Sequence, residues 1–183
     1  PFEKDSANYN ANMLSDKNDD KANYTYGKKE IWYMHSIASK TMVAMFFMKD
    51  REDGLGVQGS AGGKETSIRQ QYLDHIDLYT KSDLLERGEL AVPLKTVHFE
   101  YDYSLCGNTP NNTGNVVTVN GTNINARKGK LTLKKVYFTF GSNRKGVMHP
   151  YIFHYNEQIN GVDIDYGHRQ TDRWGTYKNS ADN

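Results

Sequence analysis

Residues 94–105 read LKTVHFEYDYSL, and this stretch decides the fold. Two sets of side chains alternate along it. The first set is mostly apolar and comprises Lys95, Val97, Phe99, Tyr101, Tyr103 and Leu105. The second set is wholly polar and comprises Thr96, His98, Glu100, Asp102 and Ser104. A period of two predicts a strand with one face on a core and the other in water.

Further strands are predicted on both sides of this one. Upstream, residues 31–37, 42–49 and 72–80 favour strands, and the second of these is apolar on both faces, as a central strand would be. Downstream, residues 130–140 predict a strand, residues 141–146 a turn, and residues 151–155 its hairpin partner. Short strands are expected at 116–119 and 162–166. The pattern favours antiparallel pairing.

The segments between these strands are expected to be loops. Residues 50–66 and 107–130 are rich in Gly, Asn, Asp and Ser. Residues 67–71 could begin as a helix, and residues 83–87 favour one helical turn that Gly88 stops. The expected organisation is a flexible linker or loop at 1–29, a β-rich segment at 30–178 and a tail at 179–183. The predicted fold class is mostly β: an antiparallel sheet with long loops, as an open sheet, a sandwich or part of a larger β shell.

The amino-acid composition argues against several classes of function and structure. Only 37% of the 183 residues are hydrophobic and the mean hydropathy is -0.80, so we expect long solvated loops or burial against neighbouring chain. The net charge is +1 without a basic stripe, which argues against nucleic acid as a partner. The longest apolar run, residues 42–48, is too short for a membrane span. A single cysteine, Cys106, excludes an internal disulfide.

Several motifs resemble sites without completing one. The letters GLGVQG at 54–59 match a dinucleotide-binding fingerprint, but a charged run separates them from the preceding strand and no helix is predicted after them. Glu100 and Asp102 share a strand face, as in a jelly-roll glycosidase, yet Ser104 stands where the general acid would be. The six histidines lack zinc-ligand spacing. We therefore expect no catalytic residue, no metal ligand and no cofactor, with a glycoside hydrolase using Glu100 and Asp102 as a third alternative.

Residues 172–178, DRWGTYK, form a compact predicted turn around a large aromatic side chain. Trp174, Tyr177 and Asp172 are the candidate ligand or packing contacts there. A structural plug against a neighbouring segment is favoured over a binding platform.

Several stretches, taken in order, resemble part of very large exported proteins of Bacteroidetes, which are similar to the Rhs/YD-repeat and Tc-toxin B-component families. These are residues 49–56 (KDREDGLG), 95–106 (KTVHFEYDYSLC), 129–138 (GKLTLKKVYF), 149–156 (HPYIFHYN) and 172–178 (DRWGTYK). The resemblance implies a β-rich scaffold in a surface or secreted protein exported by the type IX route. The resemblance implies no catalytic residue in this chain. The triplet at residues 5–7 also resembles the O-glycosylation pattern of that phylum, which makes Ser6 a candidate site.

The leading hypothesis is a structural β-rich segment of a very large secreted or cell-surface bacterial protein, as in an Rhs-like shell. The chain starts at Pro1, with neither an initiator methionine nor a signal segment, so we expect a piece of a longer polypeptide. The expected partners are the remainder of that polypeptide and other surface or secretion-system proteins. The alternative is a carbohydrate-binding or adhesion module, suggested by the many tyrosines and by Trp32 and Trp174.

Overall fold

A computed structural model describes residues 26–113, 116–119, 122–125, 128–155, 158–159, 162–163 and 174. The chain is mostly β, and its elements are β1 (Ser36–Ala38), β2 (Met42–Gly59), β3 (Gly62–Thr80), α1 (Lys81–Arg87), β4 (Lys95–Pro110), β5 (Val116–Val119), β6 (Thr122–Asn125), β7 (Lys128–Thr139), β8 (Tyr151–Ile152), β9 (Gln158–Ile159) and β10 (Val162–Asp163). Short 3₁₀ helices lie at Gly88–Leu90 and Lys145–Met148. None of the helices in these ranges is long and apolar enough to cross a membrane.

Six strands form one open antiparallel sheet in the order β1-β2-β3-β4-β7-β8. This is an up-and-down meander, because sheet neighbours follow one another along the chain. The exception is the interval between β4 and β7, where β5 and β6 pair with each other in a separate two-stranded sheet. β9 and β10 form a second such pair.

The sheet consists of two long hairpins joined along a short line. β2 pairs with β3 from residue 42 to residue 59, and β4 pairs with β7 from residue 96 to residue 110. β3 and β4, however, pair only through residues 75–78 and 95–98, and we call these two tetrapeptides the seam. The seam is therefore the whole of the β3–β4 pairing in the described chain.

The two faces of the sheet differ in chemistry. On the apolar face, one row crosses four strands in register and comprises Phe46, Ile76, Val97 and Phe138. On the opposite face, which we call the polar face, the next row comprises Met45, Asp77, Thr96 and Thr139. The prediction that alternate residues of β4 divide into an apolar and a polar set is therefore confirmed.

The polar face is not simply exposed to water, as the alternation of β4 suggested. Asp77, Thr96 and Thr139 are 8%, 6% and 8% exposed. The Thr96 hydroxyl donates to Asp77 Oδ1 at 2.5 Å, and the Tyr79 hydroxyl donates to Asp77 Oδ2 at 3.0 Å. A buried carboxylate is tolerated when donors satisfy its oxygens. Asp77 therefore anchors the seam from the face that the sequence assigned to solvent.

Residues 50–66 were predicted to be a loop, and that prediction is wrong. The strands β2 and β3 run through this segment and turn at residues 60–61, with Gly59 paired to Gly62. The pairing is irregular, since residues 51–54 of β2 lie opposite the single residue Gln70 of β3. Glycine and charged residues are common in such bulges, which explains why the segment looked like a loop. The predicted helical start at 67–71 is also wrong, because these residues belong to β3.

The other element predictions divide into three groups. The predicted strands at 72–80, 94–105 and 130–140 and the helical turn ending at Gly88 are confirmed, and β4 runs on to Pro110. The predicted strand at 31–37 is reduced to β1, and the hairpin partner at 151–155 is reduced to β8. The segment 107–130 is less loop-like than predicted, because it contains the end of β4, the strands β5 and β6, and the start of β7. Residues 1–25 of the linker predicted at 1–29, and the tail at 179–183, lie outside the described residues.

Candidate functional site

A cleft of about 380 Å³ lies between the two hairpins of the described chain. Its lining combines three carboxylates with three tyrosines and comprises Asp50, Glu52, Tyr72, Tyr101, Asp102, Tyr103 and Leu131. The residues come from β2, β3, β4 and β7. We call this feature the acidic cleft.

The acidic cleft exists because the hairpins separate at the seam and meet again further along. Strand pairing between β3 and β4 ends at His75 and His98. Beyond that point Gly54 of β2 bridges Asn112, which follows β4, and the Leu55 amide donates to the Asn112 carbonyl at 3.3 Å. Leu55 is 5% exposed at this second junction. The gap between the two junctions is the cleft.

The bulge in β2 supplies the polar link across the gap. The Tyr103 hydroxyl donates to Asp53 Oδ1 at 2.8 Å, and the Arg51 guanidinium donates to both oxygens of Asp53, at 2.9 and 2.7 Å. A two-point arginine–carboxylate pair fixes orientation as well as charge. Burial acts to raise the pKa of Asp53, but the hydrogen bonds from Arg51 and Tyr103 outweigh it and hold that pKa below its ordinary value.

The tyrosines form the walls of the acidic cleft. Tyr72 and Tyr101 meet edge to face, with ring centroids 5.1 Å apart. Burial, followed by the charges of Tyr72 and Asp74, raises the pKa of Tyr101. Burial and the hydrogen bond to Asp53 raise the pKa of Tyr103. Both phenols therefore stay protonated at neutral pH and can donate hydrogen bonds.

Two of the cleft carboxylates, Asp50 and Asp102, differ in their hydrogen-bond partners. Asp50 Oδ1 accepts from Gln71 Nε2 at 3.0 Å. Asp102 Oδ1 accepts from the Ser104 amide at 3.0 Å and from the Ser104 hydroxyl at 2.8 Å, and Lys134 Nζ lies 4.0 Å from Asp102 Oδ2. Carboxylate oxygens beside aromatic walls accept hydrogen bonds from hydroxyl groups or attract cations. The arrangement suits a polar, hydroxyl-rich or positively charged ligand.

The two carboxylates of the glycosidase alternative are not brought together in the cleft. Asp102 lines it, whereas Glu100 is exposed and pairs with Lys135 Nζ at 2.9 Å. The cleft instead places Asp102 with Asp50 and Glu52. Ser104, which stands at the position of the missing general acid, binds Asp102.

The other candidate residues lie away from the acidic cleft or outside the described chain. Trp174 lies in a turn and is 77% exposed, and Trp32 is 87% exposed. Tyr177, Asp172 and Ser6 lie outside the described residues. Within the described ranges, no group of three or more histidine, cysteine, aspartate or glutamate side chains is placed to hold a metal ion. The GLGVQG letters at 54–59 lie in β2, in the bulge and the residues that follow it.

Sequence reasoning missed most of the acidic cleft for an identifiable reason. Asp50 and Glu52 were assigned to a loop. Their spacing of two residues, which places both side chains on one face of a strand, was therefore not used. Tyr101 and Tyr103 were assigned to the core face, whereas the separation of the hairpins opens a gap beside them. Residues 49–53 are all charged, so no alternation in the sequence marked them as part of a strand.

Comparisons with protein-family models, with curated proteins and with solved structures found no match to this chain.

Proposed function

We propose that this chain is a structural β-rich segment of a very large secreted or cell-surface bacterial protein, with its sheet forming part of an Rhs-like shell. The observation that supports the proposal most directly is the scarcity of buried apolar side chains. Among the described hydrophobic residues, only Leu55 and Tyr79 are buried, and no large side chain is fully buried. A sheet is stable in water when a second layer covers its apolar face. Further polypeptide is the natural second layer.

Three strongly exposed apolar side chains lie on two connections between strands. Leu85 and Leu90, between β3 and β4, are 88% and 82% exposed, and Met148, after β7, is 78% exposed. The backbone amide of Gly141 donates to the Leu94 carbonyl at 3.3 Å, which places these two connections at the same end of the sheet. Contiguous exposed apolar groups mark interaction surfaces. Export, and the type IX route in particular, rest on the sequence resemblance.

Peptide mapping in cells that express this chain tests the proposal directly. We expect peptides from residues 26–155 to occur in a surface-exposed polypeptide much larger than 20.9 kDa. Surface proteolysis of intact cells should release them. A cytosolic species of 20.9 kDa that carries all of these peptides would contradict the proposal.

A substitution on the apolar face provides the second test. We expect Phe138→Lys to reduce binding of the dye anilinonaphthalene sulfonate to the isolated chain, because it places a charge on the half-buried apolar face. In the parent polypeptide the same change should destabilise the fold, since the added charge would then be buried. The control is Glu100→Gln on the polar face, which should alter neither property. An equal loss of stability for Phe138→Lys in both settings would show that this face is already covered within the chain.

The acidic cleft favours a second candidate function, the binding of carbohydrate in an adhesion module. Tyrosine walls and carboxylate acceptors are the groups that contact sugar rings and sugar hydroxyls. A glycan array identifies a bound oligosaccharide, and Tyr72→Ala or Tyr101→Ala should then weaken binding about tenfold, equivalent to about 1.4 kcal/mol. Tyr151→Ala, which removes a 65% exposed ring outside the cleft, is the matched control. An array without a bound glycan removes this candidate.

A further inference from the structure

Two imidazoles face each other at the end of the seam. His75 of β3 and His98 of β4 are register partners, with ring centroids 6.1 Å apart and planes inclined by 27°. Phe47 stacks on the far side of His75 at 4.4 Å, and Tyr137 stacks on the far side of His98 at 4.6 Å. The four rings form a continuous row across β2, β3, β4 and β7, which we call the ring row. Its two titratable imidazoles lie in the middle, on the two strands that the seam joins.

Two carboxylates around the ring row lie beside His75. A bulge in β3 leaves Asp74 unpaired in the register, and its Oδ2 lies 2.8 Å from His75 Nδ1. Asp77 Oδ2 lies 3.9 Å from His75 Nε2. His98 Nε2, by contrast, is hydrogen-bonded at 2.9 Å to the neutral hydroxyl of Thr139. A proton on His98 therefore enters a half-buried site opposite a second imidazole, with a neutral hydroxyl at Nε2.

Titratable and charged groups are present on every element that neighbours His98. They are Lys49 on β2, Asp74, His75, Asp77 and Tyr79 on β3, Glu100 on β4, Lys135 and Tyr137 on β7, and Arg144 after β7. Burial, and then the charge of His75, lower the pKa of His98 below its ordinary 6.5, and Arg144 acts in the same direction. Asp77 and Asp74 act to raise it but do not outweigh these causes.

We propose that the seam is an acid-sensitive joint: mild acidification protonates His98 of the ring row and releases β3 from β4, while each hairpin keeps its own pairing. The direction of the pH dependence follows from the linkage between proton binding and stability. A base whose pKa is lower in the folded state binds a proton more readily when the seam is open, so stability is lost as the pH falls below the ordinary value of 6.5. Above that pH His98 is neutral and the seam is at full strength.

A positive charge on His98 has its greatest effect at the seam. The seam pairs only residues 75–78 with 95–98, whereas the pairing inside each hairpin extends over a much longer stretch. Segments with little pairing open at lower free energy than the structure as a whole. The inference concerns this sheet alone and does not depend on the proposed function of the chain.

Hydrogen exchange followed by NMR on the 183-residue chain tests the joint. The measured quantity is the protection factor of each amide, corrected for the intrinsic pH dependence of exchange, between pH 7.5 and pH 5. We expect amides that point from β3 and β4 into the seam to lose protection several-fold. Amides between β2 and β3 at residues 43–45, and between β4 and β7 at residues 133–136, should keep theirs.

The decisive variant is His98→Phe combined with Thr139→Val. Phenylalanine keeps a ring between His75 and Tyr137 but cannot be charged, and valine removes the hydroxyl that would otherwise lose its partner. We expect the acid-induced loss at the seam to disappear in this variant. His149→Phe, which removes an exposed histidine outside the ring row, should leave the loss unchanged.

A separate measurement keeps the proposal testable even if the double variant does not fold. The NMR titration of the His98 ring in the unmodified chain should have its midpoint below that of the exposed His149. A midpoint equal to or above that of His149 overturns the proposal. Uniform loss of protection over all strands, no loss down to pH 5, or an undiminished loss in the folded double variant overturns it as well.

Discussion

Replacing Asp77 by alanine should lower the free energy of unfolding by about 2–4 kcal/mol. Asp77 is 8% exposed and accepts hydrogen bonds from the hydroxyls of Thr96 and Tyr79. Alanine removes both acceptors and leaves two donors without partners at the line that joins the hairpins. Urea unfolding followed by circular dichroism gives the change. Asp83→Ala, at a more exposed carboxylate on α1, is the control and should cost less than about 1 kcal/mol.

A double-mutant cycle separates the hydrogen bond from other effects of the Asp77 substitution. Thr96→Val alone removes one donor and leaves the carboxylate with fewer partners. In the Asp77→Ala background the same valine should cost much less, since its hydroxyl has already lost the acceptor. Strictly additive costs would show that Asp77 stabilises the seam by some means other than this bond.

Replacing Gly129 by alanine should destabilise the fold by about 3–4 kcal/mol. Gly129 has φ of 100°, a conformation that only glycine adopts without strain. An added Cβ would collide with the Tyr103 carbonyl oxygen, so the backbone of β7 would have to move away from β4. Thermal unfolding measures the effect. We expect the loss to fall on the β4–β7 hairpin and on the Tyr103 wall of the acidic cleft.

Gly141→Ala is the matched control for the Gly129 substitution. Gly141 also has positive φ, of 53°, but an added Cβ there would meet no atom within 4 Å. Only the conformational cost remains, which is about 1–2 kcal/mol. Equal losses at the two glycines would mean that the close approach of β7 to the Tyr103 carbonyl carries no energetic weight.

The sequence predicted strands wherever alternation was uninterrupted. Residues 94–105 and 130–140 alternate cleanly, and they are paired as β4 and β7. The prediction failed at residues 50–66, where charges and glycines occupy a bulged strand and imitate a loop. Propensity describes single residues, whereas the partner strand decides whether a glycine lies in a turn or in a bulge.

The acidic cleft and the ring row were harder to predict because both depend on register. The seam sets which residue of β3 faces His98, and the bulge at Asp74 shifts the pairing of β2 with β3 by one residue. One residue of shift moves a side chain to the other face of the sheet. The residue types were visible in the sequence, but their distances across four strands were not.

The chain leaves the sheet after Pro110 and returns at Lys128, yet β4 and β7 are neighbours within it. The excursion that contains β5 and β6 can therefore change without altering strand order. Since the entropic cost of closing a loop rises by only about 0.6 kcal/mol for each doubling of its length, this position tolerates large inserts. It is the natural place to graft an epitope tag or a fluorescent reporter onto the protein, and the place where related chains are free to diverge in size.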